Sequence, residues 1–321
     1  MPAEPVLALD IGGTKLAAGL VGPDGAILAQ AETPTRVWEG VDRCVKRLLE
    51  LGDRVRLEAG RPSLRGIGIA CGGPLDSVSG RLLGPPNLPG WDDVPIVDIT
   101  SGHFGLPASL ENDGNAGILA EHRFGAARGI RNAAYITLSS GVGGGVMLDG
   151  ELFRGQDGNA FEIGHLSVKF DGLPCKCGNV GCLEAYASGN QLAARAREAL
   201  IGCAQSSLKT LADVTGKDVA DAAVAGDPLA QRLWSDATMA VGSAITTITH
   251  LFNPELITIG GGVSQAGDQL IAPVVSWLDR HAFPHLRRQV RVELTPLNRD
   301  MGVLSAAAVA LRALDGGNRC P

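Results

Sequence analysis

Residues 6–21 read VLALDIGGTKLAAGLV, and residues 133–148 read AAYITLSSGVGGGVML. In the first stretch an apolar strand, Val6–Asp10, meets a two-glycine turn and is followed by a second strand, Lys15–Val21. Pro23-Asp-Gly25 then marks a hairpin, with a third strand over Ala26–Thr33. The second stretch repeats this order about 125 residues later. Ala133–Leu138 is a strand, SSGVGGG is a turn, Val146–Leu148 is a strand, and Asp149-Gly150 is a hairpin before another strand. The repetition predicts a duplicated architecture, two related α/β halves facing each other across a cleft. Residues 1–120 form the smaller half and residues 121–301 the larger.

Outward from these two stretches the elements alternate between strand and helix. Helical spacing of Val41, Val45, Leu48, Leu49 and Leu51 predicts a helix over Trp38–Ala59. Arg65–Cys71 is an apolar strand that ends in GGP, and Ala108–Glu111 is a short strand leading into a helix over Asn115–Phe124. Further on come a long helix, Asp227–Phe252, stopped by Asn253-Pro254, and a strand, Glu255–Ile259, that enters GGG. A helix over Ser264–His281 and a strand over Val290–Leu294 follow. The alanine-rich terminal helix, residues 302–313, is expected to pack back on the first half.

Composition narrows the function. A chain of 321 residues with 45% hydrophobic content has material for two buried cores. No apolar run approaches the ~18 residues of a membrane span, and no basic-then-apolar leader opens the sequence, so a cytoplasmic location is expected. A net charge of −6 argues against a general nucleic-acid binder. Glycine is abundant, 44 residues, and its clustering in runs points to turns and close ligand approach.

Three glycine turns lie at strand ends. Asp10, Gly12, Gly13, Thr14 and Lys15 form the first. It offers unobstructed N–H groups to a phosphate, a carboxylate that could hold Mg²⁺ through water, and a lysine that either neutralises phosphate or is simply solvated. Ser140, Gly141, Gly143 and Gly144 belong to the second turn. Gly261 and Gly262 belong to the third, between a strand and a helix, where amides point at anions. Together they favour a nucleotide site, although none is a Walker A loop or a dinucleotide fingerprint. In ENDGNA, residues 111–116, Asp113 falls at a strand-to-helix junction. It reads either as a helix cap or as a general base for a hydroxyl, with Asn112 beside it as donor and acceptor.

Seven cysteines include three within eight residues. His165 from EIGH and Cys175, Cys177 and Cys182 from CKCGNVGC supply one imidazole and three thiols, matching a closed four-coordinate zinc site. Gly178 and Gly181 allow a tight knuckle, and the surrounding Lys176 and Asn179 are too polar for a core. Such a metal would bring Glu162, His165 and Glu184 together as partners for sugar hydroxyls. Cys44, Cys71, Cys203 and Cys320 receive no role.

DIGGTK, LSSGVGGG, ENDGNA and EIGH with CKCGNVGCLE, in this order, resemble the motifs of the ROK family (repressor, open reading frame, kinase) along nearly the whole chain. The resemblance implies an actin-like, hexokinase-like ATPase fold with sugar and ATP in the interdomain cleft. It implies Asp113 as catalytic base, with Gly73, Asn87, Asn112, Glu162, His165 and Glu184 contacting the sugar. PPNLPGW, residues 85–91, resembles the sugar loop of the family's glucokinases and carries Asn87. ATP with Mg²⁺, a structural Zn²⁺ and a homodimer or higher homo-oligomer are implied as well. Three departures stand out: Ser139-Ser140 in place of glycine-threonine, Phe161 in place of glycine, and Gly114 in place of alanine or valine.

The expected activity is therefore phosphoryl transfer from ATP to a hexose, glucose first. Mannose, fructose, N-acetylmannosamine or N-acetylglucosamine are alternative acceptors, and polyphosphate an alternative donor. A sugar-responsive transcriptional regulator is the alternative of another class. It is disfavoured because nine residues before Asp10 leave no room for a helix-turn-helix. A non-catalytic zinc protein or sugar sensor would leave the three glycine turns and Asp113 unexplained.

Overall fold

The structure, a computed structural model, describes residues 4–202 and 205–316; Cys203 and Cys320 lie outside them. The chain divides into two compact units, neither continuous in sequence. The first comprises the residues up to Gly129, Leu152–Ala160, and those from Pro296 onward; the second comprises Ile130–Glu151 and Phe161–Thr295.

The first unit is built on a five-stranded sheet. Its strands are β1 (Val6–Ile11), β2 (Lys15–Val21), β3 (Ile27–Pro34), β4 (Ile67–Cys71) and β7 (Ala108–Asn112), ordered β3-β2-β1-β4-β7. A small ribbon of β5 (Leu75–Asp76) and β6 (Arg81–Leu82) lies between β4 and β7 in the chain. β1 and β2 are antiparallel, whereas β1, β4 and β7 run parallel. Alternation along the strands separates two faces. Leu7, Leu9, Ile11, Ile67, Ile69 and Cys71 form one buried core with Cys44 and Leu48 of α1 (Val41–Glu58) and Phe104 of α2 (Ile96–Phe104). The other face carries small residues: Ala8 pairs with Gly19 on one side and with Gly68 on the other. Helix α10 (Met301–Leu314) lies on this face beside α3 (Asp113–Arg123). Its backbone comes so near that a Cβ built on Gly68 would fall 2.8 Å from the Ala310 nitrogen, and nearer still to the Ala306 carbonyl oxygen.

The second unit repeats the plan. Its strands are β8 (Ala133–Leu138), β9 (Val142–Leu148), β10 (Glu151–Leu152), β11 (Leu256–Gly260) and β12 (Arg291–Leu294), ordered β10-β9-β8-β11-β12. Strand for strand this is the order of the first sheet, with β8 antiparallel to β9 and parallel to β11. Both residues of the Asp149-Gly150 turn have positive φ, 54° and 85°, as a tight hairpin requires. Helices α4 (Leu183–Ala187), α5 (Gly189–Gly202), α6 (Gly216–Val224), α7 (Pro228–Phe252), α8 (Asp268–His281) and α9 (Pro284–Arg287) complete the unit. Asp227 caps α7 by accepting the N–H groups of Leu229 and Ala230, and Pro228 follows it at the first helical position. No described helix is long and apolar enough to cross a membrane.

Most expected boundaries shift by one to three residues, and two shift further. The SSGVGGG turn shrinks to Ser139–Gly141, because β9 starts at Val142 and pairs Gly143 and Gly144 with Thr137 and Ile136. The helix expected over Ser264–His281 begins only at Asp268, because Gly267 at φ 61° separates it from a 3₁₀ turn over Gly262–Ala266.

Gly68→Ala forces a methyl into the α10 backbone, which cannot rotate aside as a side chain can. It is expected to destabilise the protein by about 3 kcal/mol in urea unfolding. Gly102→Ala, at an open position of α2, is the matched control and should gain about 0.5–1 kcal/mol.

Candidate active site

The carboxyl ends of the parallel strands β1, β4 and β7 gather the expected residues of the first unit. β1 delivers Asp10; β4 runs into Gly72 and Gly73; β7 ends at Asn112, with Asp113 opening α3. Strand register places Ile11 beside Cys71 and Cys71 beside Asn112, so these groups form one row. Ligands of parallel α/β sheets bind at this edge of the strands.

Asn112, rather than Asp113, is the helix cap: its Oδ1 accepts the Gly114 N–H at 2.9 Å. Asp113 Oδ1 accepts the same N–H at 2.8 Å, while its side chain remains open to solvent. A Cβ on Gly73 would stand 3.2 Å from Asn112 Nδ2, a tight contact that would press on that amide. Behind them the buried Glu111 carboxylate takes Arg154 at 2.8 Å and Asn115 at 3.1 Å, fixing the strand end. The protein around Asp113 raises its carboxyl above the usual range, opposed by the Gly114 N–H. Asp10 rises to about 7, through burial first and the Asp113 charge second, with Lys15 opposing. Two carboxyls that resist ionising together suit a site that takes up a proton and cationic charge.

The first glycine turn joins this row. Gly13 lies against the sugar loop expected at 85–91: its Cβ would come within 2.5 Å of the Asn87 carbonyl oxygen. Thr14 and Lys15 are exposed, and Lys15 pairs with Glu32 across the sheet at 2.7 Å. Gly302, in the first turn of α10, lies against the Asp10 carboxyl where any side chain would collide with it.

In the second unit, His165, Cys175, Cys177 and Cys182 converge, with one ligand atom from each lying within 4.8 Å of the others. Cys177 and Cys182 sulfurs are 3.7 Å apart, as are the Cys175 sulfur and His165 Nδ1. Tetrahedral zinc with bonds of about 2.0–2.3 Å requires ligand separations of this size. Gly178 and Gly181 have φ of 90° and 74°, conformations that a knuckle of other residues would not adopt. With Nδ1 facing the thiols, His165 Nε2 is the remaining ring nitrogen.

The segment before this cluster is clamped to β9. Phe161 has φ 64°, a strained conformation for an aromatic residue. Its ring packs 5.7 Å from that of Phe252 and against Gly144, where a Cβ would fall 2.9 Å from its edge. Glu162 follows at the entrance of a 3₁₀ turn, Ile163–His165, and is exposed. Glu184, two residues past Cys182, accepts the Val142 N–H at 2.9 Å and so joins the cysteine segment to the end of the second glycine turn.

Beside that turn a cavity of about 750 Å³ opens within the second unit, bounded by Ser139–Ser140, the start of α5, the start of α6, Trp234 and Gly262–Ala266. Its size matches a small-molecule cofactor. Gly189 donates its N–H to the Ser139 carbonyl at 2.8 Å, and Gly216 lies so close to Gly189 that a Cβ on Gly216 would fall 2.9 Å from the Gly189 Cα. The two basic side chains of the wall are each neutralised: Arg197 binds Asp213 at 3.0 Å, and Lys217 binds Asp221. Gly261, at φ 88°, lies on the Leu138 backbone, bringing the third glycine turn to the second. Asn190, Arg197, Thr215, Lys217 and Trp234 did not emerge from the sequence. The one available signal was the capping box of Thr215 and Asp218 after an isolated loop.

Gly144→Ala is expected to displace Phe161 and Ile163, since its Cβ would stand 2.6–3.0 Å from Tyr135, Phe161 and Ile163 atoms. A loss of about 1–3 kcal/mol in unfolding and reduced zinc retention on dialysis are the expected results.

Residues 6–313 match the ROK family. A glucokinase of Thermotoga maritima is 35% identical over 98% of this chain and 100% of its own length. An N-acetylmannosamine kinase of Salmonella heidelberg is 34% identical over 95% of this chain and 97% of its own. Among solved structures, a ROK family glucokinase from Streptomyces griseus in complex with glucose and AMPPNP superposes with a TM-score of 0.82. It has 31% identity and covers 96% of this chain and 99% of its own. The duplicated sheets are accordingly those of the actin-like, hexokinase-like ATPase fold.

Proposed function

The chain belongs to the ROK family and is an ATP-dependent sugar kinase; we propose that its acceptor is D-glucose and that Asp113 is the general base. The observation that carries this reading is the row at the strand ends of the first unit, where Asp10, Gly73, Asn112 and Asp113 meet the Gly13–Asn87 contact. Asp113 accepts the proton of the 6-hydroxyl as that oxygen bonds to the γ-phosphorus and ADP leaves with the electrons of the broken P–O bond. Its raised proton affinity suits that task, and its bond to the Gly114 N–H holds the acceptor oxygen in place. Gly73, Asn87, Asn112, Glu162, His165 and Glu184 are assigned to the sugar hydroxyls. Glucose is favoured among hexoses by the PPNLPGW loop and by the glucokinases among the relatives.

ATP is assigned to the cavity beside Ser139–Gly141. The neutralised Arg197 and Lys217 leave a wall suited to an uncharged base and ribose, while the glycine turns take the phosphates through backbone amides. Mg²⁺, when bound, supplies positive charge to the transferring phosphoryl group. Zn²⁺ is assigned to His165, Cys175, Cys177 and Cys182 as a structural ion that fixes Glu162 and Glu184 around it. A homodimer completes the reading, and sedimentation is its check.

Asp113→Asn is expected to lower turnover about a thousandfold while leaving the melting temperature and zinc content unchanged. Near wild-type turnover in that variant would sink the assignment of the base. A panel of hexoses assayed by ADP release tests the acceptor. Glucose should have the highest kcat/KM, and preference for N-acetylmannosamine would replace the substrate and keep the chemistry. Metal analysis should return about one zinc per chain, falling to none in Cys177→Ser with Cys182→Ser.

A further inference from the structure

Thr35 follows β3, carries no family motif, and is completely buried. Its hydroxyl donates to the Gly12 carbonyl at 2.5 Å, and its N–H donates to the Thr14 carbonyl at 2.9 Å. The Gly12 and Thr14 carbonyls of the first glycine turn therefore end on one residue, while the turn closes on itself through the Gly12 N–H and the Lys15 carbonyl at 3.0 Å. Thr35 is in turn held from behind. Its own carbonyl accepts Arg47 Nη1 at 2.6 Å and the Cys44 thiol at 3.2 Å. Arg47 is paired with Glu39, whose carboxyl the guanidinium keeps below the usual range. Burial pushes the Cys44 thiol up, so it stays a protonated donor.

A trans peptide carries its N–H opposite its C=O. Tying the Gly12 carbonyl to Thr35 thus sends the Gly13 N–H away from Thr35, to the open side of the turn. We propose that Thr35 is a positioning residue that aims the Gly13 amide of the glycine turn at the phosphates of ATP, with Cys44 and Arg47 as its supports. The inference rests on the reading of that turn as a phosphate site. It also gives Cys44, otherwise without a role, the task of holding the brace.

Thr35→Val keeps the shape and removes the hydroxyl, and Thr35→Ser keeps the hydroxyl. Calorimetric titration of the full-length protein with ATP and with adenosine separates phosphate recognition from recognition of the base. Thr35→Val should bind ATP about tenfold more weakly, with KM for ATP raised to match, while adenosine affinity and hexose KM stay at wild-type values. Thr35→Ser should restore ATP binding. Unchanged ATP affinity in Thr35→Val overturns the brace, as does an equal loss in both variants, or weakening of adenosine and hexose in step with ATP. A wild-type protein that binds ATP no more tightly than adenosine overturns the phosphate reading of the turn, and the inference with it.

Discussion

The first unit depends on how near a helix can come to a sheet. Helix α10 does not rest on interdigitated large side chains. It lies almost backbone to backbone on a patch made of Ala8, Gly19 and Gly68, with Val303, Ala306 and Ala310 filling what space remains. Close packing of this kind leaves no slack, because displacing a backbone segment moves everything attached to it. The same approach brings Gly302 to Asp10, so a residue near the end of β1 meets the first turn of α10 without an intervening side chain. On the opposite face, larger residues of β1 and β4 pack conventionally against α1 and α2. The sheet is therefore held by size exclusion on one side and by apolar burial on the other.

From that frame the chemistry of the strand ends follows. Asp10, the glycines after β4, and Asn112-Asp113 are where they are because β1, β4 and β7 are parallel neighbours in fixed register. Burial raises both carboxyls, and the Asp113 charge adds to that effect at Asp10. The second unit applies similar geometry to a different end. Its first two strands are joined by the turn Ser139–Gly141, and the run of glycines in β9 admits Phe161 and Ile163 against the sheet. Glycine thus admits a helix backbone in one sheet and side chains in the other.

The sequence disclosed strands, hairpins and the repeated order well, because these rest on local alternation and on turn residues such as Asp149-Gly150. It located Asp113, the cysteine cluster and the glycine turns, whose residue types are distinctive. It did not separate Gly143 and Gly144 from the turn before them, since glycine in a strand has no side chain with which to signal a face. It also placed no elements between Cys182 and Asp227, where α5 and α6 wall the cavity. Their alanines carry little periodic contrast, and the wall is assembled from residues far apart in the chain. Thr35 was invisible for another reason: a single threonine after a strand acquires meaning only once its two acceptors are seen.

The composition of the first unit sets an order of events during synthesis. Its sheet emerges first, yet α10 is made after nearly the whole chain. At about 5–20 residues per second, roughly 10–30 seconds separate the end of α3 from the start of α10. Throughout that interval the Ala8–Gly19–Gly68 face has no helix to cover it, and the unit cannot reach its final packing. The nascent chain must carry an unfinished N-terminal sheet past the making of the second unit.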